Sequence, residues 1–168
     1  PNVGKSTLLN SLLNEEKAIV SDIAGTTRDA IEDEIIIDGV AFRFIDTAGI
    51  RETKDIIESI GIKKAYEKAE NAQLIIFLID SNKFSTSKHV FLSEIETIKK
   101  RFPNKRLLLI ANKIDTLSIP QKQEIISQID EILLLSAKQK IGIDTLHQHL
   151  TSLVNKGALS NNETIVTN

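Results

Sequence analysis

The sequence contains no cysteine, no methionine and no tryptophan, and aromatic residues make up only 4% of its 168 positions. Without cysteine, disulfide bonds, thiol catalysis and thiolate metal sites are excluded, and a reducing, cytoplasmic environment is expected. Without methionine the chain cannot begin at a start codon, so we expect it to be part of a longer protein. No apolar run approaches the roughly 20 residues that span a membrane, and no segment has a signal-peptide pattern.

A dominant charge of one sign is also lacking, because 21 basic residues nearly balance 23 acidic ones and the formal net charge is -2. A strongly basic surface for nucleic acid or anionic lipid is therefore not expected, although a local patch is compatible with this sum. Hydrophobic residues contribute 41% and charged residues 26%, which is the balance of a globular protein. A chain of this length can form one domain with a real core.

Strand-like and helix-like segments alternate along the chain. Short apolar runs predict strands at 35–37, 40–45, 74–79, 107–111 and 132–135. Apolar residues at helical spacing predict helices after residue 7 and around 91–102, 125–129 and 146–154. The Asp38-Gly39 turn joins the first two strands as a hairpin. The sequence thus predicts a three-layer α/β fold, whose mostly parallel sheet has one antiparallel strand and helices on both faces.

The chain opens with most of a phosphate-binding loop. Pro1 to Ser6 match the last six positions of G-x-x-x-x-G-K-[ST], whose first Gly would lie two residues before Pro1. In this motif backbone N–H groups and Lys5 hold phosphate oxygens, and the Ser6 hydroxyl binds Mg²⁺. A helix N-terminus that contains Gly-Lys-Ser by chance is the alternative. The predicted nucleotide-binding residues of this loop are Asn2, Val3, Gly4, Lys5, Ser6 and Thr7.

A strand should precede this loop and lie at the centre of the sheet, but the chain begins inside the loop. We expect either that upstream residues supply this strand or that another segment, for which Thr164-Ile165-Val166 is the candidate, fills the gap. Residues 1–154 are predicted to form the domain, shortened within its phosphate loop. The polar segment 155–168 has no helical period and is predicted to be a linker to a further domain.

The base that the nucleotide site recognises is indicated by the motif Asn112-Lys113-Ile114-Asp115, which directly follows an apolar strand. Ligands bind at the carboxyl ends of strands in open α/β sheets, and a carboxylate such as Asp115 can accept from the two N–H groups on the edge of guanine. Adenine does not offer them in the same places. Ser136-Ala137-Lys138 follows the next strand and is predicted to be the second guanine-side loop, with a plain turn as the alternative.

The second strand of the hairpin ends in Asp46-Thr47-Ala48-Gly49. Asp46 is predicted to hold Mg²⁺ through water, and the Gly49 N–H is predicted to face the γ-phosphate. By itself D-x-x-G usually marks a turn. Its position between the phosphate loop and Asn112 to Asp115 predicts a domain that binds GTP and hydrolyses it to GDP and phosphate.

These motifs together resemble P-loop GTPases of the translation-factor-like branch. The segment Ser21 to Asp29 is similar both to the MnmE (TrmE) family of tRNA-modification GTPases and to the Der (EngA) family of ribosome-assembly GTPases. Asp46 to Thr53, followed by Glu58 and Ile60-Gly61-Ile62, resembles the MnmE family more closely. The resemblance covers nearly the whole chain, including Ile165 to Asn168, where the MnmE chain re-enters its helical domain.

The resemblance implies a homodimer formed through these domains, and modification of the wobble uridine of tRNA together with the flavoprotein MnmG. It also implies K⁺ in the place of an arginine finger, where the ion would offset charge that develops between the β- and γ-phosphates. The implied K⁺ ligands are Asn2, Ser21, Ile23 and Thr26, and the implied Mg²⁺ ligands are Ser6, Thr27 and Asp46. Ser21, Thr26 and Thr27 would thereby also contact GTP.

The residue that orients the attacking water differs from the Ras pattern. Ras-type GTPases use a Gln just after D-x-x-G, whereas this chain has Ile50, which cannot hydrogen-bond water. The resemblance implies that Glu58 takes this role, and a solvated carboxylate at a helix start is the alternative. Two other functions stay open, which are a Der-like ribosome-assembly GTPase and a module too truncated to bind nucleotide.

Overall fold

The structure, a computed structural model, describes residues 4–13, 18–20, 32–37, 40–46, 66–67, 69–70, 72–155 and 164–167. The described helices are α1 (Lys5–Leu13), α2 (Phe84–Arg101), α3 (Ile119–Gln128) and α4 (Ile143–Asn155). Short 3₁₀ helices lie at Ser81–Lys83 and Ile114–Thr116. The strands are β1 (Ala18–Val20), β2 (Glu32–Ile37), β3 (Val40–Asp46), β4 (Leu74–Asp80), β5 (Arg106–Asn112), β6 (Ile132–Leu134) and β7 (Thr164–Thr167).

All seven strands belong to one sheet, in the order β1-β2-β3-β7-β4-β5-β6. The strands β3, β7, β4, β5 and β6 pair in parallel, while β2 runs antiparallel to both of its neighbours. Ile37 pairs with Val40, so the predicted hairpin with its two-residue connection is confirmed. The predicted mostly parallel sheet with one antiparallel strand is confirmed as well.

The gap at the centre of the sheet is occupied by β7. Its backbone pairs in parallel with β3 on one side and with β4 on the other, with Val166 opposite both Ile45 and Ile75. Four residues of the segment predicted as a linker therefore form a strand. Two parallel strands with an empty place between them would leave N–H and C=O groups unpaired, and the β-branched sequence Thr-Ile-Val-Thr suits the vacant position.

Both faces of β4 and β5 are covered, which explains their continuous apolar sequences. Leu74, Ile76 and Leu78 point to the layer formed by α1 and α4, whereas Ile75 and Phe77 point to the opposite layer. That opposite layer is built by α2 and α3 and includes the buried side chains Phe84, Phe91, Ile95, Ile98, Ile125 and Ile129. The strand period of two thus divides one apolar run between two cores.

The connection from β5 to α3 ends in a defined helix cap. The helix α3 has Ser118 as its N-cap, in a capping box in which Gln121 Oε1 accepts from the Ser118 N–H at 2.9 Å. Pro120 follows in the first turn, where its missing N–H leaves no helical bond unmade.

Within the described part of the chain, no helix has the length and apolar content needed to traverse a bilayer.

Candidate nucleotide-binding site

Polar residues gather where the central strands end. Asp46 is the last residue of β3, Asp80 of β4 and Asn112 of β5, and the backbones of Asp80 and Asn112 are register partners. The helix α1 begins at Lys5, immediately after Gly4. The parallel strands therefore place the backbone of Asp46 and the residues Asp80 and Asn112 at one edge of the sheet, which is where open α/β sheets bind ligands.

Asn112 is the buried centre of this edge, with only 2% of its surface exposed. Its Oδ1 accepts from the Lys113 N–H at 2.8 Å and from the Ala137 N–H at 3.0 Å. The second of these bonds joins residues 25 positions apart and fixes the loop after β6 against the end of β5. The amide side chain thus holds together the two loops that the sequence predicts to surround guanine.

Gly4 places the phosphate loop against the side chain of Asn112. Its φ is +95°, in the region that favours glycine, and a Cβ built at this position would collide with the Nδ2 atom of Asn112. The carbonyl of Gly4 accepts from the Leu8 N–H at 2.9 Å, which makes the first turn of α1. Glycine is therefore required both by the backbone conformation and by the close approach of Asn112.

Ser11 provides a second link, which sequence reasoning missed. Its hydroxyl is buried and lies 2.7 Å from the carbonyl oxygen of Ala137 and 2.9 Å from that of Thr7. Since a hydroxyl has one proton, it donates to one of these oxygens at a time. The helix α1, which carries Lys5, Ser6 and Thr7 in its first turn, is thereby tied to the 136–138 loop.

Asp115 is exposed and is oriented by Ser136. The Ser136 hydroxyl donates to Asp115 Oδ1 at 2.6 Å and accepts from the Gln139 N–H at 3.2 Å. The bond from Ser136 is the largest of the influences that hold the pKa of Asp115 below its ordinary value, and the cations of Lys138 and Lys122 act in the same direction. Desolvation of the carboxylate by neighbouring atoms opposes them. Asp115 is thus a pre-oriented acceptor that stays ionised at neutral pH.

Lys113 has a left-handed backbone, with φ 70° and ψ 33°, a conformation that non-glycine residues rarely adopt. Its Nζ atom lies 2.7 Å from Oδ2 of Asp80. The apolar run 74–79 predicts a core strand and assigns no role to Asp80, although an acidic residue directly after six apolar strand positions indicates the edge of the sheet.

The structure brings together the described residues of three predicted motifs. The contacts described above link five of these residues, which are Gly4, Asn112, Asp115, Ser136 and Ala137. The start of α1 contains Lys5, Ser6 and Thr7. Lys138 is exposed beside Asp115. Asp46 is placed at the end of β3 by its backbone alone. The remaining predicted site residues lie outside the described ranges, and they are Asn2, Val3, Ser21, Ile23, Thr26, Thr27, Gly49 and Glu58.

Such an edge can hold a flat polar base and an anion at once. The first turn of α1 presents N–H groups without helical partners and the positive end of the helix dipole, both of which favour phosphate oxygens. The ionised carboxylate of Asp115 offers acceptors to a base that carries two adjacent donors. Asn112 lies between these two parts, since Gly4 packs against its amide nitrogen and the Lys113 and Ala137 N–H groups donate to its Oδ1.

Comparison with known proteins agrees with this arrangement. Residues 1–113 match a family model described as 50S ribosome-binding GTPase. The chain is 62% identical over 172 aligned residues to the tRNA modification GTPase MnmE of Flavobacterium johnsoniae, and 61% identical over 168 residues to the protein of the same name from Flavobacterium psychrophilum. Both alignments cover the whole chain, which spans only 37% and 36% of those two proteins.

Among solved structures, the fold is similar to that of Era, in a crystal structure described as a complex with MgGDPNP and nucleotides 1506-1542 of 16S ribosomal RNA. The TM-score is 0.64 at 31% sequence identity, and the alignment covers 90% of this chain and 53% of the Era chain. The predicted P-loop GTPase fold and the predicted resemblance to MnmE proteins are thereby confirmed. The chain belongs to the 50S ribosome-binding GTPase family, and it is a GTP-hydrolysing enzyme domain similar over its whole length to MnmE proteins.

Proposed function

We propose that this chain is the GTP-binding and GTP-hydrolysing part of a cytoplasmic GTPase that modifies the wobble uridine of tRNA together with the flavoprotein MnmG. The observation that carries the nucleotide part is the connection of Gly4, Asn112, Ala137, Ser136 and Asp115 at one edge of the sheet. The tRNA part is supported by 62% identity to a protein named tRNA modification GTPase MnmE.

Guanine recognition is assigned to Asp115. Its Oδ1 accepts from Ser136, which leaves the other carboxylate oxygen and the remaining lone pairs for the ring N–H and exocyclic amine of guanine. Adenine presents a ring-nitrogen acceptor where guanine has a donor, so its edge would face the carboxylate with unfavourable lone-pair contact. A site built around such hydrogen bonds rejects the wrong partner strongly, since its own polar groups would stay unpaired.

The phosphates are assigned to the start of α1. The helix has nine residues, and the first N–H groups of an α-helix have no partner within the helix at the end where the dipole is positive. The Lys5 ammonium would offset the negative charge of the β- and γ-phosphates. Lys5, Ser6 and Thr7 are therefore proposed to hold the triphosphate, with Asn2, Val3 and Gly49 completing its environment.

GTPases of this kind generally use Mg²⁺, a hard cation that prefers oxygen ligands. The exposed Ser6 hydroxyl and the carboxylate of Asp46 at the end of β3 have the required chemistry, and Thr27 is proposed as the third ligand. When bound, Mg²⁺ neutralises charge on the β- and γ-phosphate oxygens. The structure of Era, which is described with MgGDPNP, supports this choice of ion.

Hydrolysis needs a residue that orients water, and we assign it to Glu58, since Ile50 has no group that can do so. Glu58 would act on the attacking water directly or through a second water. K⁺ at Asn2, Ser21, Ile23 and Thr26 would supply positive charge in the place of an arginine finger. Dimerisation of two such domains across their nucleotide sites is proposed to complete that K⁺ site.

The proposal is tested by steady-state GTP hydrolysis of this chain in KCl and in NaCl at equal ionic strength, with ATP as the control substrate. We expect K⁺ to stimulate GTP hydrolysis, ATP to be untouched, and Glu58→Gln to lower kcat by about 10²- to 10⁴-fold, the range for a general acid–base residue. Equal rates in both salts would exclude the K⁺ mechanism for this chain.

A GDP titration of the same protein separates the remaining alternative, a module that does not bind nucleotide. Saturable binding of GDP without binding of ADP supports the assigned site. Absence of GDP binding, in a chain that melts cooperatively, would show that the shortened phosphate loop forms no usable site.

A further inference from the structure

Asp80 is a buried acid next to the 112–116 loop, and Asp80 belongs to none of the predicted sequence motifs. It is the last residue of β4, and only 5% of its surface is exposed. An isolated carboxylate at such a position is strongly unfavourable unless it is paired and hydrogen-bonded. Asp80 meets both conditions, so its carboxylate is held in one orientation.

The two carboxylate oxygens of Asp80 bind different partners. Oδ1 accepts from the Asn82 N–H at 3.1 Å, within the 3₁₀ turn that follows β4. Oδ2 lies 2.7 Å from Nζ of Lys113, whose side chain is 33% exposed. The first bond orients the carboxylate, and the second places the ammonium of Lys113.

Lys113 is held at its backbone as well. Its N–H donates to Asn112 Oδ1, and its carbonyl accepts from the Thr116 hydroxyl at 2.9 Å. The same hydroxyl lies 2.6 Å from Asn82 Oδ1 and donates its one proton to one of these two oxygens at a time. The turn after β4 and the loop after β5 are therefore joined by the Lys113–Asp80 ion pair and, when the proton turns to Asn82, by this second bond. These contacts surround the left-handed residue between Asn112 and Asp115, a conformation that persists only where neighbouring structure enforces it.

We propose that Asp80 is a positioning residue for guanine nucleotide, which acts through the ammonium of Lys113 to pre-order the 112–116 loop. The inference deepens the proposed guanine site, since it concerns the loop that carries Asp115. A loop that is ordered before the ligand arrives does not lose that freedom on binding, so affinity is higher. Removal of the Asp80 charge should therefore weaken GDP binding without removing any group that faces the base.

The test is a double-mutant cycle with Asp80→Asn and Lys113→Met, read by GDP dissociation constants on the full chain. We expect Asp80→Asn alone to weaken GDP binding by about tenfold, which corresponds to about 1.4 kcal/mol. In the Lys113→Met background the same change should have little further effect, because residues that act through one contact are non-additive. The matched control is Asp130→Asn, an exposed acid after α3, and it should leave affinity unchanged.

A second readout does not depend on nucleotide. The acylation rate of Lys113 by an amine-reactive ester, measured by mass spectrometry against exposed Lys138, should rise in Asp80→Asn. The ester reacts with the neutral amine, and without the Asp80 carboxylate the Lys113 side chain is no longer held as an ammonium in an ion pair. Unchanged GDP affinity in Asp80→Asn, or losses that simply add in the double variant, would overturn the role of Asp80. Failure of the unmodified chain to bind GDP would instead overturn the proposed guanine site and this role with it.

Discussion

Gly4 and Asn112 are packed so closely that any side chain at position 4 would collide with the Asn112 amide nitrogen. The two residues belong to different predicted motifs, the phosphate loop and the guanine loop. Asn112 in turn binds the Ala137 N–H. The phosphate loop, the end of β5 and the loop after β6 therefore meet at one amide side chain.

Gly4→Ala should weaken GDP binding by at least about tenfold, a change of 1.4 kcal/mol. Alanine at φ +95° is strained, and its Cβ must push Asn112 or the start of α1 aside. Isothermal titration with GDP measures the loss. Asn10→Ala is the control, because Asn10 is exposed on the same helix and should leave affinity unchanged. Equal affinities of the Gly4→Ala variant and the unmodified chain would contradict the close packing.

Asp115→Asn should change which base is preferred. The amide replaces a double acceptor by one acceptor and one donor, so guanine loses a hydrogen bond and faces an N–H group with its amine. Xanthine carries a carbonyl in place of that amine and should be favoured. We expect GDP affinity to fall by at least about 10²-fold, since a hydrogen-bonding site left unpaired rejects its ligand strongly. Competition between GDP and XDP measures the change, and retained GDP preference would argue against contact of Asp115 with the base.

Ser136→Ala should raise the pKa of Asp115 toward its ordinary value of 3.8, because the hydroxyl that lowers it most is removed. In the unmodified chain the lowered pKa means that the ionised carboxylate contributes stability at neutral pH, which disappears as pH falls through the folded-state pKa. In the variant this loss should be centred at higher pH. Carbon-detected NMR titration of the Asp115 carboxyl measures both proteins, and Ser127→Ala, an exposed hydroxyl on α3, should leave the titration unchanged.

Much of the fold follows from local sequence. The runs 74–79 and 107–111 are continuous and apolar because both faces of these strands are buried, and Asp38-Gly39 predicts a two-residue hairpin connection. The strands β1 and β7 were not predicted as such, apart from the suggestion that Thr164 to Val166 could fill the gap. Both are short, at three and four residues, and they depend on partners distant in sequence rather than on a period of their own.

The candidate site also combines features that local sequence predicts with contacts that depend on residues distant in sequence. The motif Asn112 to Asp115 was visible because its residues are adjacent in sequence. The Ser11 hydroxyl reaches Ala137 across 126 positions and the Asp80 carboxylate reaches Lys113 across 33. Such contacts exist only after helices and strands have packed, so the sequence places Asp80 at the end of an apolar strand but does not indicate that it pairs with Lys113.

The core around α3 offers a matched pair of adjacent isoleucines. Ile125 is 1% exposed and Ile126 is 54% exposed. Ile125→Ala should lower the free energy of unfolding by about 2–5 kcal/mol, since it removes buried methyl groups and leaves a cavity. Ile126→Ala should change it by no more than about 0.5 kcal/mol, the usual range at exposed sites. Urea denaturation measures both, and similar effects of the two substitutions would contradict the assigned face of α3.

The strand β7 should be needed for stability because it fills a central position. Proline at Val166 has no N–H, so a ladder bond between β7 and a neighbouring strand is lost while the acceptor stays in the sheet. The unsatisfied acceptor alone should lower the free energy of unfolding by about 1–3 kcal/mol. Val166→Ile keeps both the N–H and the β-branch, and it serves as the control in the same urea titration. If Val166→Pro and Val166→Ile unfold at the same urea concentration, the segment 164–167 does not complete the sheet in solution, and the space between β3 and β4 must be closed in another way.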